Sequence, residues 1–461
     1  MRETLGTGEP EYAAYVALDW ADREHAWVLE EAGGGKRESG KLKQTPESIE
    51  AWAAGLATRF GGRPIAVGLE QSRGALIYAL QAYGHLELYP IHPSTSANYR
   101  KAIFPGGRKN DPVDADLLLD LLTRHRDRLR RMRPDHEETR KLQLLTEKRR
   151  QLVDEQTSET NRVTDLLKSY FPQALRWLDD LSSPLAVAFL QRWPTLQQVQ
   201  AEEADCVRKF FYEHGSRSKE RIELRLKEIQ EARPLIEDRA IIEPAVLMVR
   251  ALLEVIAALR RGIKTLQDAC AAVFASHPDA EIFASFPGAG PVLAPRLLAA
   301  FGSQRDRWEN VVEFQSYTGI PPITEGSGKS LDIHFRWRCA KFLRQSFHEF
   351  AEQSIQQSEW AGAFFHHQRH VNHLDHQAAV RSLAYKWIRI MYCCWKKRTP
   401  YQESFHQERL LTRPRSSENP TTVAAVQKKS GAPTNGRPGS NRVHFQFKKV
   451  AGFCKLSAAT S

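Results

Sequence analysis

Along the first 130 residues, apolar positions come in short runs broken by polar or glycine-rich stretches. YAAYVALDW reads as a strand, HAWVLEEA as its hairpin partner and RESGKLKQ as a third strand. Thr45 followed by Pro46 is a helix start, and it opens an amphipathic segment through Phe60. PIAVGLE then predicts a buried strand, GALIYALQAYG a helix closed by Gly84, LELYPI another strand, and NDPVDADLLLDLL a helix from Asp111. Three strands followed by helix and strand in alternation is the order of a ribonuclease H-like α/β fold.

The pattern changes at residue 137. Leu142, Leu145, Leu152, Val163, Leu166 and Leu167 form a narrow stripe at helical spacing, with no Pro or Gly until Pro172, which predicts a long helix suited to a coiled coil. Residues 173–243 read as helical but less periodic, and 245–273 as a second long helix that pairs with the first, within one chain or between two. A third unit begins near Asp279, where Gly288 and Gly290 of FPGAGPVLAPRLLAAFG separate a short helix from a longer one, as in a helix-hairpin-helix. AAVRSLAYKWIRIMYCCW has the stripe of a core helix, from which Arg381, Lys386 and Arg389 can reach a nucleic-acid backbone. The expected organisation is an α/β domain (1–134), a helical coiled-coil region (135–275), a mostly helical C-terminal domain (276–411) and a basic tail (412–461). The tail is rich in Pro, Gly, Ser and Thr and is expected to be disordered, because its few apolar residues cannot offset the entropy of ordering.

Composition narrows the class. A chain of 461 residues exceeds one ordinary core, and 41% hydrophobic with 26% charged residues is the balance of a globular protein. No run approaches the roughly 18 apolar residues of a membrane helix, and the first residues lack the apolar core of a signal peptide, so a cytoplasmic location is expected. The six cysteines show no CxxC spacing, which argues for reduced thiols and against zinc. The histidines of FFHHQRHVNHLDH (His366, His367, His370, His373 and His376) lack a completing cysteine or acid and are read as a solvated or phosphate-facing helix. The net charge of +11 says little by itself, since residues 412–461 hold nine Lys/Arg against the single acid Glu418. The local run RHRDRLRRMR, residues 124–133, suits either a solvated face or a phosphate contact.

The candidate chemistry lies in the acids. Asp19 ends the first strand, Glu70 ends PIAVGLE, and Asp111 and Asp114 open a helix three residues apart, on one face that Leu118 and Leu121 continue. Asp116 and Asp120 point away from that face. In the expected sheet, Asp19 and Glu70 meet at the carboxyl ends of neighbouring strands. Buried carboxylates are costly without a partner, and four of them can hold two Mg²⁺ ions about 4 Å apart for phosphodiester cleavage, with Mn²⁺ equally suited. The plain alternatives are that Asp111 is an N-cap before Pro112 and that Asp19 and Glu70 merely end strands.

A second candidate is Ser327, in the Gly-Ser-Gly setting of YTGIPPITEGSGKS and followed by Lys329. Flanking glycines and a lysine suit a serine that attacks phosphorus, and equally a flexible loop. Arg336, Arg338, Lys341 and Arg344 follow, interleaved with Trp337 and Phe342, a combination that suits a nucleic-acid groove. Gly288 and Gly290 can present backbone amides to a phosphate or serve as a plain turn.

With these residues in view, the chain resembles the DEDD transposases of the insertion-sequence 110 family over residues 13–405. The matching segments are ALDWA, VGLEQS, RKNDPVDADLL, QLVDEQTSETNRVTDLLKSYFP, FPGAGPVLAPRLLAAFG, YTGIPPITEGSGKS and AAVRSLAYKWIRIMYCCW, in that order. The resemblance implies a RuvC-like N-terminal domain, a coiled-coil middle and a C-terminal transposase domain. It also implies that Asp19, Glu70, Asp111 and Asp114 bind metal, and that Ser327 forms a covalent link to a DNA 5′-phosphate. Donor and target DNA, a guide RNA from the element and a dimer or tetramer are implied partners. Where many relatives follow the serine with a Lys-Arg-Gly-Asn-like turn, this chain has RWRCAKFLR. The rival readings are a junction-resolving nuclease that uses the acids and water alone, and a non-catalytic nucleic-acid scaffold.

Overall fold

The computed structural model describes residues 12–103, 111–327, 330–334, 336 and 339–404, and the chain forms two compact units, Met1–Pro134 and Asp135–Ser461. The first unit contains β1 (Ala14–Asp19), β2 (Glu24–Glu31), β3 (Glu38–Lys43), α1 (Pro46–Arg59), β4 (Ile65–Leu69), α2 (Ala75–Leu80), β5 (Leu86–Pro90), α3 (Pro93–Ile103) and α4 (Asp111–Arg124). Its sheet runs β3-β2-β1-β4-β5, with β2 antiparallel to both β1 and β3 and β4 parallel to both β1 and β5.

Local chemistry explains these elements. β4 (IAVGL) is buried throughout, as expected for a central parallel strand covered on both faces, whereas the edge strand β3 (ESGKLK) presents charge to solvent. Thr45 caps α1 by accepting from the Ser48 amide at 3.3 Å, and Pro46 takes the first-turn position where its missing N–H is not needed. α2 ends at Leu80, earlier than the expected stop at Gly84, and the chain continues through tight turns in which Ala82 and Tyr83 donate to Ala79 and Leu80. The sequence pattern does not predict α3. Its segment PSTSANYRKAI is polar, with Ser96 its one buried residue, so no apolar stripe announces it. Pro93 at its first position is the signal that would have found it.

Among the described residues, the second unit is helical apart from one hairpin. It runs α5 (Glu137–Tyr170), α6 (Ala174–Trp177), α7 (Pro184–Arg192), α8 (Leu196–Gln200), α9 (Ala204–Glu213), α10 (Lys219–Glu231) and α11 (Arg239–Ala275), then α12 (Ala280–Ala284), α13 (Gly290–Phe301) and α14 (Val311–Thr318). The antiparallel strands β6 (Ile323–Ser327) and β7 (Ser330–His334) follow, and α15 (Lys341–Gln357), α16 (Glu359–His370) and α17 (His376–Lys397) close the described chain. α5 and α11 pack along each other within the chain. They run antiparallel: Leu152 reaches Gly262, and Val163 and Leu167 share a core with Val249, Leu252 and Ile256. One core of this unit collects Trp177, Phe189, Trp193 and Phe211 around that pair, and the other centres on Phe286, Phe301, Phe350, Trp387 and Trp395. No helix among the described residues is long and apolar enough to cross a membrane. The expected disordered tail lies outside the described residues.

Candidate active site

Parallel pairing of β1 with β4 sets Leu18 opposite Leu69. Asp19, the last residue of β1, and Glu70, immediately after β4, are therefore next in register, one strand spacing of roughly 4.8 Å apart along the backbone. α4 lies across the same strands. Gly68 faces it, and a Cβ there would meet Leu122 at 3.4 Å, an ordinary packing distance, so the helix rests directly on β4. Asp114, Leu118 and Leu122 recur every fourth residue, and all three are buried. The same stripe that fastens α4 to the sheet thus carries one acid under cover.

Helix α3 holds two of the candidates. Ser96 is buried; its hydroxyl donates to Glu70 Oε1 in a short bond and also lies 3.0 Å from the Pro93 carbonyl. One turn later Arg100 Nη2 lies 2.6 Å from Asp114 Oδ1. Residues four apart share a helix face, so Glu70 and Asp114, from different elements, are gripped by adjacent turns of one helix with a rise of about 6 Å between the two grips. Asp111 begins α4, and its side chain lies outside the described residues. Asp116 and Asp120, expected to point away, do so: Arg37 bonds them at 3.2 and 2.6 Å and Glu30 at 2.9 Å, which makes them part of the scaffold.

Asp19, Glu70 and Asp114 offer only carboxylate oxygen, the donor type that suits a hard divalent cation such as Mg²⁺ or Mn²⁺. By donor chemistry, therefore, the residues fit such an ion. As they lie, no three acids, histidines or cysteines among the described residues are grouped to hold one.

The basic run 124–133 divides. Arg126 bonds the Tyr15 hydroxyl at 2.8 Å and lies over the Tyr12 ring, and Arg131 pairs with the buried Glu87 at 2.8 Å, so both serve the fold. Arg124 and Arg128 remain largely exposed.

In the second unit, Ser327 is the last residue of β6, in register with Ser330 of β7. The Gly-Ser-Gly setting read as a possible loop is thus a strand up to the serine, whose side chain lies outside the described residues, as do Lys329 and Arg338. Arg336 and Arg344, expected at a nucleic-acid groove, also clasp the base of this ribbon. Arg336 Nε donates to the Pro321 carbonyl at 3.3 Å, before β6, and Arg344 Nη1 donates to the Arg336 carbonyl at 2.8 Å, after β7. Lys341 is exposed in the first turn of α15. Gly288 has φ +83° and lies against the backbone of Gln353, whereas Gly290 at the start of α13 faces open space.

Two family models match the chain: one for the DEDD transposases of IS110, described as Transposase, over residues 16–172, and one described as Transposase IS116/IS110/IS902 family over residues 280–366. Together they span more than half of its length, the first containing all four acids and the second Ser327. The IS117 mini-circle protein of Streptomyces coelicolor, which carries a transposase name, is 28% identical over 86% of this chain and 97% of its own length. The insertion element IS116 protein of Streptomyces clavuligerus is 24% identical over 69% of this chain and 78% of its own. The insertion element IS110 protein of Streptomyces coelicolor is 23% identical over 63% and 71%. A DEDD match at one end, an IS110-type match at the other and relatives aligned across both make this chain a member of the insertion-sequence 110 family, an enzyme that acts as a transposase on DNA.

Proposed function

We propose that this transposase cuts and rejoins DNA with Ser327 as nucleophile, and that Asp19, Glu70, Asp111 and Asp114 hold Mg²⁺, or Mn²⁺, at the end of a ribonuclease H-like, RuvC-like sheet. The observation that carries the reading is the juxtaposition of Asp19 with Glu70, and of Glu70 with Asp114 through α3. The sheet order 3-2-1-4-5 with three antiparallel strands first supports it further.

In the proposed step the Ser327 oxygen bonds to phosphorus while the bond from phosphorus to the DNA 3′-oxygen breaks. The serine gives up its proton, the departing 3′-oxygen takes one, and the 5′-phosphate remains on the enzyme. A second strand's 3′-hydroxyl reverses these changes and rejoins the DNA. A divalent cation, when bound by the acids, supplies Lewis-acid stabilisation of the phosphate oxygens. Lys329, Arg336, Arg338, Lys341 and Arg344, with the amides near Gly288 and Gly290, contact the nucleic-acid backbone. An element-encoded guide RNA selects donor and target, and a homo-oligomer brings acids and serine from different subunits together. The long helices α5 and α11 form the dimerisation element.

The test uses full-length protein, Mg²⁺, labelled donor and target DNA and RNA transcribed from the element's flanks, resolved on a denaturing protein gel. Wild type should give a covalent protein–DNA band that Ser327→Ala and Asp19→Ala each reduce by at least about a thousandfold. Cleavage without the band, equal in Ser327→Ala, would refute the serine reading and favour a junction-resolving nuclease.

A further inference from the structure

We infer that Arg100 is a positioning residue that occupies Asp114 in place of a cation and leaves it when a divalent metal binds. The inference rests on the metal-centre reading of the acids. Asp114 is buried, and a carboxylate taken out of water is costly unless a positive partner faces it. Arg100 supplies that charge from α3 at 2.6 Å, with its own side chain 23% exposed. Its grip is partial, because the buried Arg100 Nε has no hydrogen-bond partner. A guanidinium bonded through all its donors would be costly to move; one held chiefly through Nη2 is displaceable.

Metal and arginine compete for the same oxygen. A divalent cation taken up by Asp114 Oδ1 would repel the guanidinium that now lies 2.6 Å from that atom. Loading the centre therefore expels Arg100, while Ser96 keeps its hold on Glu70 one turn earlier on α3. The freed guanidinium remains tethered beside the acids, and its planar fork matches two oxygens of a DNA phosphate. Arg100 thus opposes metal binding in the free protein and favours DNA in the loaded one. A residue that merely supported the fold would do neither.

The test is Mn²⁺ binding to the full-length protein without DNA, followed by the electron paramagnetic resonance of free Mn²⁺, for wild type, Arg100→Gln, Arg100→Lys and Asp114→Asn. Arg100→Gln should bind Mn²⁺ about five- to tenfold more tightly and Arg100→Lys close to wild type, because only the first removes the competing charge. At saturating Mn²⁺, Arg100→Gln should bind donor DNA about tenfold more weakly, with partial recovery in Arg100→Lys. Equal or weaker Mn²⁺ binding by Arg100→Gln, with Asp114→Asn binding lost, overturns the role of Arg100 and leaves the metal reading intact. Unchanged binding by Asp114→Asn overturns the metal reading, and this proposal with it.

Discussion

The acids of the first unit are delivered by a five-stranded sheet and two helices, whereas Ser327 ends one arm of a two-stranded ribbon. Leu18, Leu69, Leu118 and Leu122, which flank the acids, are all fully buried, so displacing an acid would disturb a core. Among the described residues the ribbon has two strands, and a two-stranded pair alone is marginal in water. Among the described residues it is tied at its base by the Arg336 and Arg344 clasp and by the turn at Gly319. A rigid frame suits groups that, in the proposed reading, would converge on a small ion. In the proposed reading, the serine that would meet a large, variable substrate is carried instead on the thinner, two-stranded element.

Three substitutions probe that contrast. The largest loss is expected in the core behind the ribbon. Trp387 is fully buried among Phe350, Trp360 and Tyr401, and its Nε1 donates to Ser354 at 2.8 Å. Trp387→Ala should cost the second unit about 3–5 kcal/mol in chemical denaturation. A cost below about 1 kcal/mol would mean that this core does not support the ribbon's unit.

Gly319→Ala should cost less, about 1–3 kcal/mol, and sharpens the comparison most directly. Gly319 closes α14 at φ +73°, and an added Cβ would stand 2.5 Å from Cys339 Cβ. Because that strain falls at the ribbon's base, the yield of covalent protein–DNA adduct should fall further than the loss of stability accounts for. An adduct yield that tracks stability alone would show that the base does not position the serine.

The smallest effect is a pH dependence. Burial holds the His277 imidazole below its ordinary value. Its Nδ1 accepts from the Asp279 amide at 3.0 Å, so the proton of the neutral ring sits on Nε2, which donates to Thr139 at 2.8 Å. With the folded value lowered, the unfolded chain takes up the proton first as pH falls. Stability from the neutral ring is therefore full above about pH 6.5 and is lost toward the lowered value, by at most about 1 kcal/mol near pH 5.5. The stability advantage of wild type over His277→Gln should shrink between pH 7 and 5.5; an advantage that grows would mean the ring is held protonated.

Much of this was legible along the chain. The bounds of α5 followed from an unbroken stripe between residue 137 and Pro172, and the meeting of Asp19 with Glu70 followed from strand order, since both end strands that a ribonuclease H-like sheet sets side by side. α3 was not legible, because a helix with one buried residue leaves no periodic trace, and Ser96 and Arg100 were hidden with it. Arg336 and Arg344 read as nucleic-acid contacts, and their bonds to the carbonyls of Pro321 and Arg336 leave no mark in composition or spacing.

The sequence by itself determined the order of the elements, the strand-end acids and the two family-matched segments, because hydrophobic period and turn residues act over a few positions. Only the tertiary structure decided that α5 pairs with α11 inside one chain, that α3 grips Glu70 and Asp114 together, and that two arginines clasp the ribbon. Those partners are distant along the chain or lie on elements without a stripe, and burial, which leaves each polar group in need of a nearby partner, selected them.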